Sequence, residues 1–105
     1  MATGKNSINI AAMQAQASKA TSLLSAMCNE NRLLILCRLI DNERTVNELA
    51  ALLDVAQPTV SQHLALLRQH GLVRSRKHGR TRRYSLAGPE AQEILQTLQS
   101  LYCED

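Results

Sequence analysis

The side chains in this sequence that could do chemistry are few and unevenly placed. Cysteines stand at 28, 37 and 103, histidines at 63, 70 and 78, and seven of the twelve cations crowd between Arg68 and Arg83. That stretch (Arg68, Arg74, Arg76, Lys77, Arg80, Arg82, Arg83) contains no acid, which leaves five cations against nine carboxylates, net −4, for the remainder. A charge run is usually a solvated face. One this lopsided inside an otherwise acidic chain points to a polyanion, and nucleic acid suits that footprint.

The thiols admit two readings. Cysteine is often a small buried apolar residue, and Cys37 within "LLILC" reads that way by default. Cys103 lies near the end of the sequence, where burial is rarely deep, so its thiol is open to reaction through the thiolate. Spacing alone does not decide between packing and reaction. The odd number and wide separation of the cysteines are no secreted disulfide framework. With no signal-peptide pattern and no apolar run of bilayer length, the expectation is a cytoplasmic protein with reduced thiols and no membrane partner. His63, His70 and His78 have no second ligand at helical spacing, so neither a metal nor a cofactor is expected. Paired carboxylates, a phosphate-binding loop and a nucleophile–base arrangement are all missing, which argues against an enzyme.

The elements that must position these residues are mainly helical. The 105 residues make one domain, with two tyrosines and no phenylalanine or tryptophan. Leu, Ile, Val and Ala therefore do nearly all the packing, and unbranched apolar residues favour helices. Residues 1–9 are expected to be disordered and 10–105 to form the domain. From Ile10, apolar residues at 10, 13, 17, 20, 24 and 27 trace the seam of a helix packed on another helix. Asn29 suits an N-cap for "ENRLLILCRLI", which is apolar nearly all round and expected to be buried.

"TVNELAALLD" opens with Thr45 and has Glu48 three residues on, a capping box. After a break at Asp54-Val55-Ala56, "PTVSQHLALLRQH" starts at Pro58, buries Val60, Leu64 and Leu67, and stops at Gly71. Two short helices so joined form a helix-turn-helix over 45–70. Pro58, Thr59, Gln62 and Gln69 fall opposite the buried stripe, with Ser61 on the flank. With Gln57, His63 and Arg68 they are the candidate contacts to base edges and phosphates of duplex DNA. Residues 72–86 read as a basic hairpin about a Lys77-His78-Gly79-Arg80 turn, a wing that puts Lys77, Arg80 and Arg82 beside the backbone or in the minor groove. "GPEAQEILQTLQSLYC" returns to helix, with Ala91, Ile94, Leu98 and Leu101 on one stripe and Leu95 and Tyr102 beside it.

The run "QPTVSQHLALLRQHGLV", with "NENRLLIL" before it and "RSRKHGRTRRYSL" after it, resembles the ArsR-type (ArsR/SmtB) winged-helix transcriptional regulators from about Leu23 onward. That resemblance implies a mainly α fold with a β-hairpin wing: a winged helix-turn-helix that forms a homodimer through its first and last helices and binds operator DNA, usually as a repressor. Asp54 stands where many relatives carry Gly at the turn, and Asp tolerates a left-handed backbone. The family's metal sites are not matched. Thr45 and Asn47 replace a Cys-x-Cys pair, Gly88 and Glu90 an Asp-x-His pair, and of a His-x-x-Glu at 101 and 104 only Glu104 remains. Cys37 in "LCRLIDNE" and Cys103 in "LQSLYC" instead match the thiol pair of the HlyU-, BigR- and SqrR-like branch. This implies a persulfide- or oxidant-sensing pair that cross-links within a subunit, with reactive sulfur species or oxidants as inducer. Cys28 matches no sensing position and reads as a packing residue near the dimer seam. The competing expectation is a constitutive DNA-binding anti-repressor with structural cysteines.

Overall fold

The computed structural model describes residues 7–103; the disorder expected for 1–9 falls mostly on residues 1–6, which lie outside that range, as does Glu104. Five helices and one hairpin follow in the order α1 (Ile10–Met27), α2 (Glu30–Arg38), α3 (Val46–Leu53), α4 (Gln57–Gln69), β1 (Val73–His78), β2 (Thr81–Leu86) and α5 (Glu90–Tyr102). Local chemistry sets most of these boundaries. Asn9 Oδ1 accepts the Ala12 N–H at 3.0 Å to start α1, and Asn29 Oδ1 accepts the Arg32 N–H at 3.1 Å to start α2. The Arg32 guanidinium reaches back to the Ala26 carbonyl at 2.6 Å, a cation on the negative end of α1.

The capping box forms as expected. Thr45 Oγ1 accepts the Glu48 N–H at 3.1 Å, and Glu48 Oε1 accepts the Thr45 N–H at 2.9 Å. Asp54 takes the left-handed conformation at φ 56°, letting the Val55 N–H close on the Ala50 carbonyl at 3.1 Å. Gly71, at φ 75°, terminates α4. Its N–H bonds the Arg68 carbonyl at 3.0 Å and the Leu72 N–H bonds the Leu67 carbonyl at 2.9 Å, the double closure that a left-handed residue permits. Removing one reciprocal cap should cost about 0.5–2 kcal/mol. Thr45→Ala is therefore expected to lower the thermal midpoint by several degrees, measured by circular dichroism; an unchanged midpoint would refute the capping argument.

The core gathers where α2, α3 and α4 meet. Ile35, Leu36, Leu49, Val60, Leu64 and Leu67 are its largest fully buried side chains, with Met27, Leu72, Ala91 and Leu95 closing its edges. The hairpin pairs Val73 with Leu86, Ser75 with Tyr84 and Lys77 with Arg82. Its loop is tighter than the sequence suggested, since only Gly79 and Arg80 are unpaired and Lys77 and His78 belong to β1. Gly79 at φ 64° occupies the first central position of this two-residue turn, where few side chains are tolerated. A further bridge pairs Arg44 with Tyr84 and attaches the α2–α3 connection to the sheet.

One expectation needs correction. The segment "ENRLLILCRLI" is not buried all round: Ile35, Leu36 and Leu39 enter the core, whereas Leu34 and Cys37 are exposed. That face lines a groove whose opposite wall is α5. On α5, Ala91 and Leu95 are buried, but Leu101 and Tyr102 are 67% and 81% exposed because the helix runs past the core. α1 behaves likewise. Ile10, Met13 and Leu24 are exposed, and of the predicted seam Met27 alone is buried in the core. A radius of gyration of 15.8 Å records the projection, because about 13 Å is usual for a compact domain of roughly 100 residues.

Candidate nucleic-acid interface and thiol groove

α4 buries Val60, Leu64 and Leu67 and turns Gln57, Pro58, Ser61, Gln62, Ala65, Arg68 and Gln69 to solvent. Thr59 and His63 differ from the expected placement: both are half-buried at the edge of this face. Desolvation, then the nearby Arg32 cation, lowers the His63 pKa, which favours the neutral ring. Ala56, before the first turn, offers no side-chain cap and Pro58 has no N–H, so the helix presents its positive end without a side-chain cap on it.

The wing carries an electrostatic peculiarity. Partners directly across an antiparallel ladder share a face, and like charges there are unfavourable. This hairpin has two such pairs, Arg76 with Arg83 and Lys77 with Arg82. The first is relieved within the protein. Arg76 Nε and Nη2 donate to Glu43 Oε2 and Oε1 at 2.9 and 2.8 Å. That hydrogen-bonded pairing, followed by the charges of Arg76, Arg83 and His78, holds the Glu43 pKa below the usual carboxylate range. The second pair, near the tip, forms no ion pair among the described residues; Arg82 Nη1 donates instead to Ser75 Oγ at 3.1 Å. With Arg80 exposed in the loop, the tip concentrates cations for an anion from outside.

Two of the thiols, remote in sequence, share one groove. Cys37 and Cys103 both line an open groove of about 640 Å³ between α2 and α5, walled by Leu33, Leu34, Ile40, Leu95, Leu98 and Tyr102. Both are free and exposed. Partial burial, then the neighbouring Cys103, pushes the Cys37 thiol up, against a smaller opposite pull from Arg38. Cys28 is exposed in the single subunit at the end of α1. Among the described residues no three His, Cys, Asp or Glu side chains converge on a metal-sized site, and no helix is long and apolar enough to cross a membrane.

Residues 29–75 match the family model described as "Bacterial regulatory protein, arsR family". Over 97 residues, covering 92% of this chain and 90% of the relative, the sequence is 45% identical to the transcriptional activator HlyU of Vibrio cholerae. This chain belongs to the ArsR family. The reduced form of that HlyU superposes with a TM-score of 0.81 over 87% of this chain and 96% of HlyU, at 47% identity. The transcriptional repressor BigR of Xylella fastidiosa gives 0.87 over 93% and 100%, at 28% identity. A homodimeric winged helix-turn-helix DNA-binding domain from Mycobacterium bovis gives 0.75 over 97% and 92%, at 27%. As an ArsR-family winged helix-turn-helix protein, the chain is a DNA-binding transcriptional regulator and not an enzyme. Its sequence alone did not expose the roles of Glu43 and Arg44, which lie 33 and 40 residues from their wing partners. Ala65 was also overlooked, although an alanine between Gln62 and Gln69 is a visible gap in a polar face.

Proposed function

We propose that this regulator binds double-stranded operator DNA as a homodimer, acting as a repressor whose affinity falls when reactive sulfur species or an oxidant bridges Cys37 and Cys103. The observation that carries the thiol switch is the shared groove, which brings together two exposed sulfurs 66 positions apart in sequence. The first thiolate can attack a terminal sulfur of a polysulfide, breaking its S–S bond and expelling the shortened polysulfide, which gives a protein persulfide. The second thiolate then attacks the inner sulfur and expels hydrosulfide, leaving a disulfide. Intact mass after polysulfide treatment, beside an operator titration, tests the reading. An unmodified pair, or a bridged protein of unchanged affinity, would favour constitutive DNA binding with structural cysteines, which the 45% identity to an activator makes the natural second reading.

On the DNA side, Gln57, Pro58, Thr59, Ser61, Gln62, His63 and Arg68 form or border the surface assigned to the major groove, and Lys77, Arg80 and Arg82 the surface assigned to the phosphate backbone. The unrelieved Lys77/Arg82 pair and the uncapped start of α4 support that division. Lys77→Ala or Arg80→Ala should weaken operator and random duplex alike, and reduce the salt slope by about 0.9 for each phosphate no longer neutralised. Gln62→Ala should relax preference at particular base pairs by about 1–3 kcal/mol. A fluorescence-anisotropy titration at several salt concentrations checks both, and uniform weakening by Gln62→Ala would remove it from base readout.

A further inference from the structure

The last turn of α2, where Cys37 sits, is tied to both strands of the wing through two consecutive residues. Arg38 ends α2, and its carbonyl accepts the Arg44 Nε–H at 2.8 Å. Arg44 also pairs through its backbone with β2: its N–H donates to the Tyr84 carbonyl at 3.0 Å, and its carbonyl accepts the Tyr84 N–H at 2.8 Å. Glu43 holds β1 through its two hydrogen bonds from Arg76. Tyr84 is opposite Ser75 in the hairpin, one step from Arg76 and Arg83, so both ties grip the same rung region. Thr45, directly after Arg44, starts α3 through its capping box, which holds the connection from its other side.

We propose that Glu43 and Arg44 form a relay that carries a change at the α2 thiol to the wing, so that the Cys37–Cys103 bridge acts on phosphate binding through the hairpin. This rests on the thiol-switch reading above. A bridge that draws the last turn of α2 toward α5 moves the Arg38 carbonyl, and Arg44 is bonded to that carbonyl while serving as an edge partner of β2. Directional hydrogen bonds transmit such a displacement, because the bond weakens steeply when its geometry departs from linearity. The two-point hold, on β1 through Glu43 and on β2 through Arg44, turns the hairpin as one body. Arg80 in its loop lies four residues from Tyr84, about 13 Å at the rise of a strand, so a small rotation at the hold becomes a larger displacement at Arg80. Lys77 and Arg82 lie between the two and move with it.

The test compares wild type, Arg44→Gln and Glu43→Gln, each as the full chain, with and without polysulfide. Arg44→Gln removes the bond to Arg38 while keeping the backbone bridge; Glu43→Gln removes the charge of an exposed ion pair, which contributes little to folding. Intact mass reads the bridge as the loss of two hydrogens, and operator titrations across salt read affinity and the number of phosphates engaged. Bridging wild type should lower the salt slope by about 0.9 for each phosphate that the wing releases. Both variants should form the bridge to the same extent, while their affinity loss on bridging falls to about a third of the wild-type factor or less, within the range over which such couplings vary. Bridged variants that release DNA by the full wild-type factor would overturn the relay and leave the switch standing. A wild-type chain that forms no bridge overturns the switch and the relay with it, and the mass measurement tells the two failures apart. Should Arg44→Gln fail to fold, Glu43→Gln decides alone.

Discussion

A chain carrying Leu24→Glu and Leu101→Glu together should fold, sediment as a monomer, and bind operator about 10²- to 10⁴-fold more weakly than wild type, the range by which linking two binding modules raises affinity. Both side chains are more than half exposed in the single subunit. They belong to the helices that run beyond the core, α1 with Ile10 and Met13 also uncovered, and α5 with Tyr102. Isolated exposed apolar residues are ordinary, but a stripe at helix–helix spacing along an 18-residue helix is the pattern of a seam without its partner. The substitutions barely touch the core of Ile35, Leu36, Leu49 and Leu64, so folding should survive while association is lost. Operator affinity depends on two recognition helices entering successive major grooves about 34 Å apart, and a monomer delivers one. Sedimentation velocity with an anisotropy titration reads both effects. A wild-type chain that is monomeric at micromolar concentration, or a double variant that remains dimeric, would refute the seam.

Much of this architecture was legible because it rests on local rules. The Thr45/Glu48 box, the Asn29 cap, the Asp54 turn and the Gly71 stop each involve residues a few positions apart, and each forms as their chemistry requires. The buried stripe of α4 followed from its period. What failed was inference of burial from composition. α2 is apolar almost all round, yet Leu34 and Cys37 are exposed because periodicity identifies a face and not what covers it. The wing register was also beyond reach. That Arg76 meets Arg83 and turns to Glu43, while Lys77 meets Arg82 near the tip, depends on a loop of two residues; a four-residue loop would have paired other side chains. The polar face of α4 is turned to solvent because helix geometry fixes it opposite the buried stripe, with Thr59 and His63 set at its edge by their nearness to the core.

Polysulfide should release wild-type protein from its operator by a factor of about 5 to 150, the span of a 1–3 kcal/mol coupling, without dissociating the dimer. The bridge lies within a subunit, between the walls of the α2–α5 groove, so it alters the setting of the DNA-binding elements and leaves the α1 seam uncut. Cys37→Ser and Cys103→Ser should each bind operator as reduced wild type does and ignore polysulfide, since a bridge needs both sulfurs. Cys28→Ser should respond fully, because Cys28 caps the end of α1 and takes no part in lining the groove. The pH dependence has a definite sign. Partial burial, then the neighbouring Cys103, raises the pKa of Cys37, which favours its neutral thiol. Only the thiolate attacks sulfur, so the rate of bridging should climb as pH rises through the ordinary thiol range and should keep climbing above it. Arg38 opposes the shift, and Arg38→Gln should therefore slow bridging at neutral pH by raising the Cys37 pKa further. Stopped-flow release of labelled operator, with quenched samples taken for intact mass, measures rate and bridge together. If Cys103→Ser released DNA on polysulfide treatment as readily as wild type, the groove would be only a gap between two helices and the sensing chemistry would have to lie with another group.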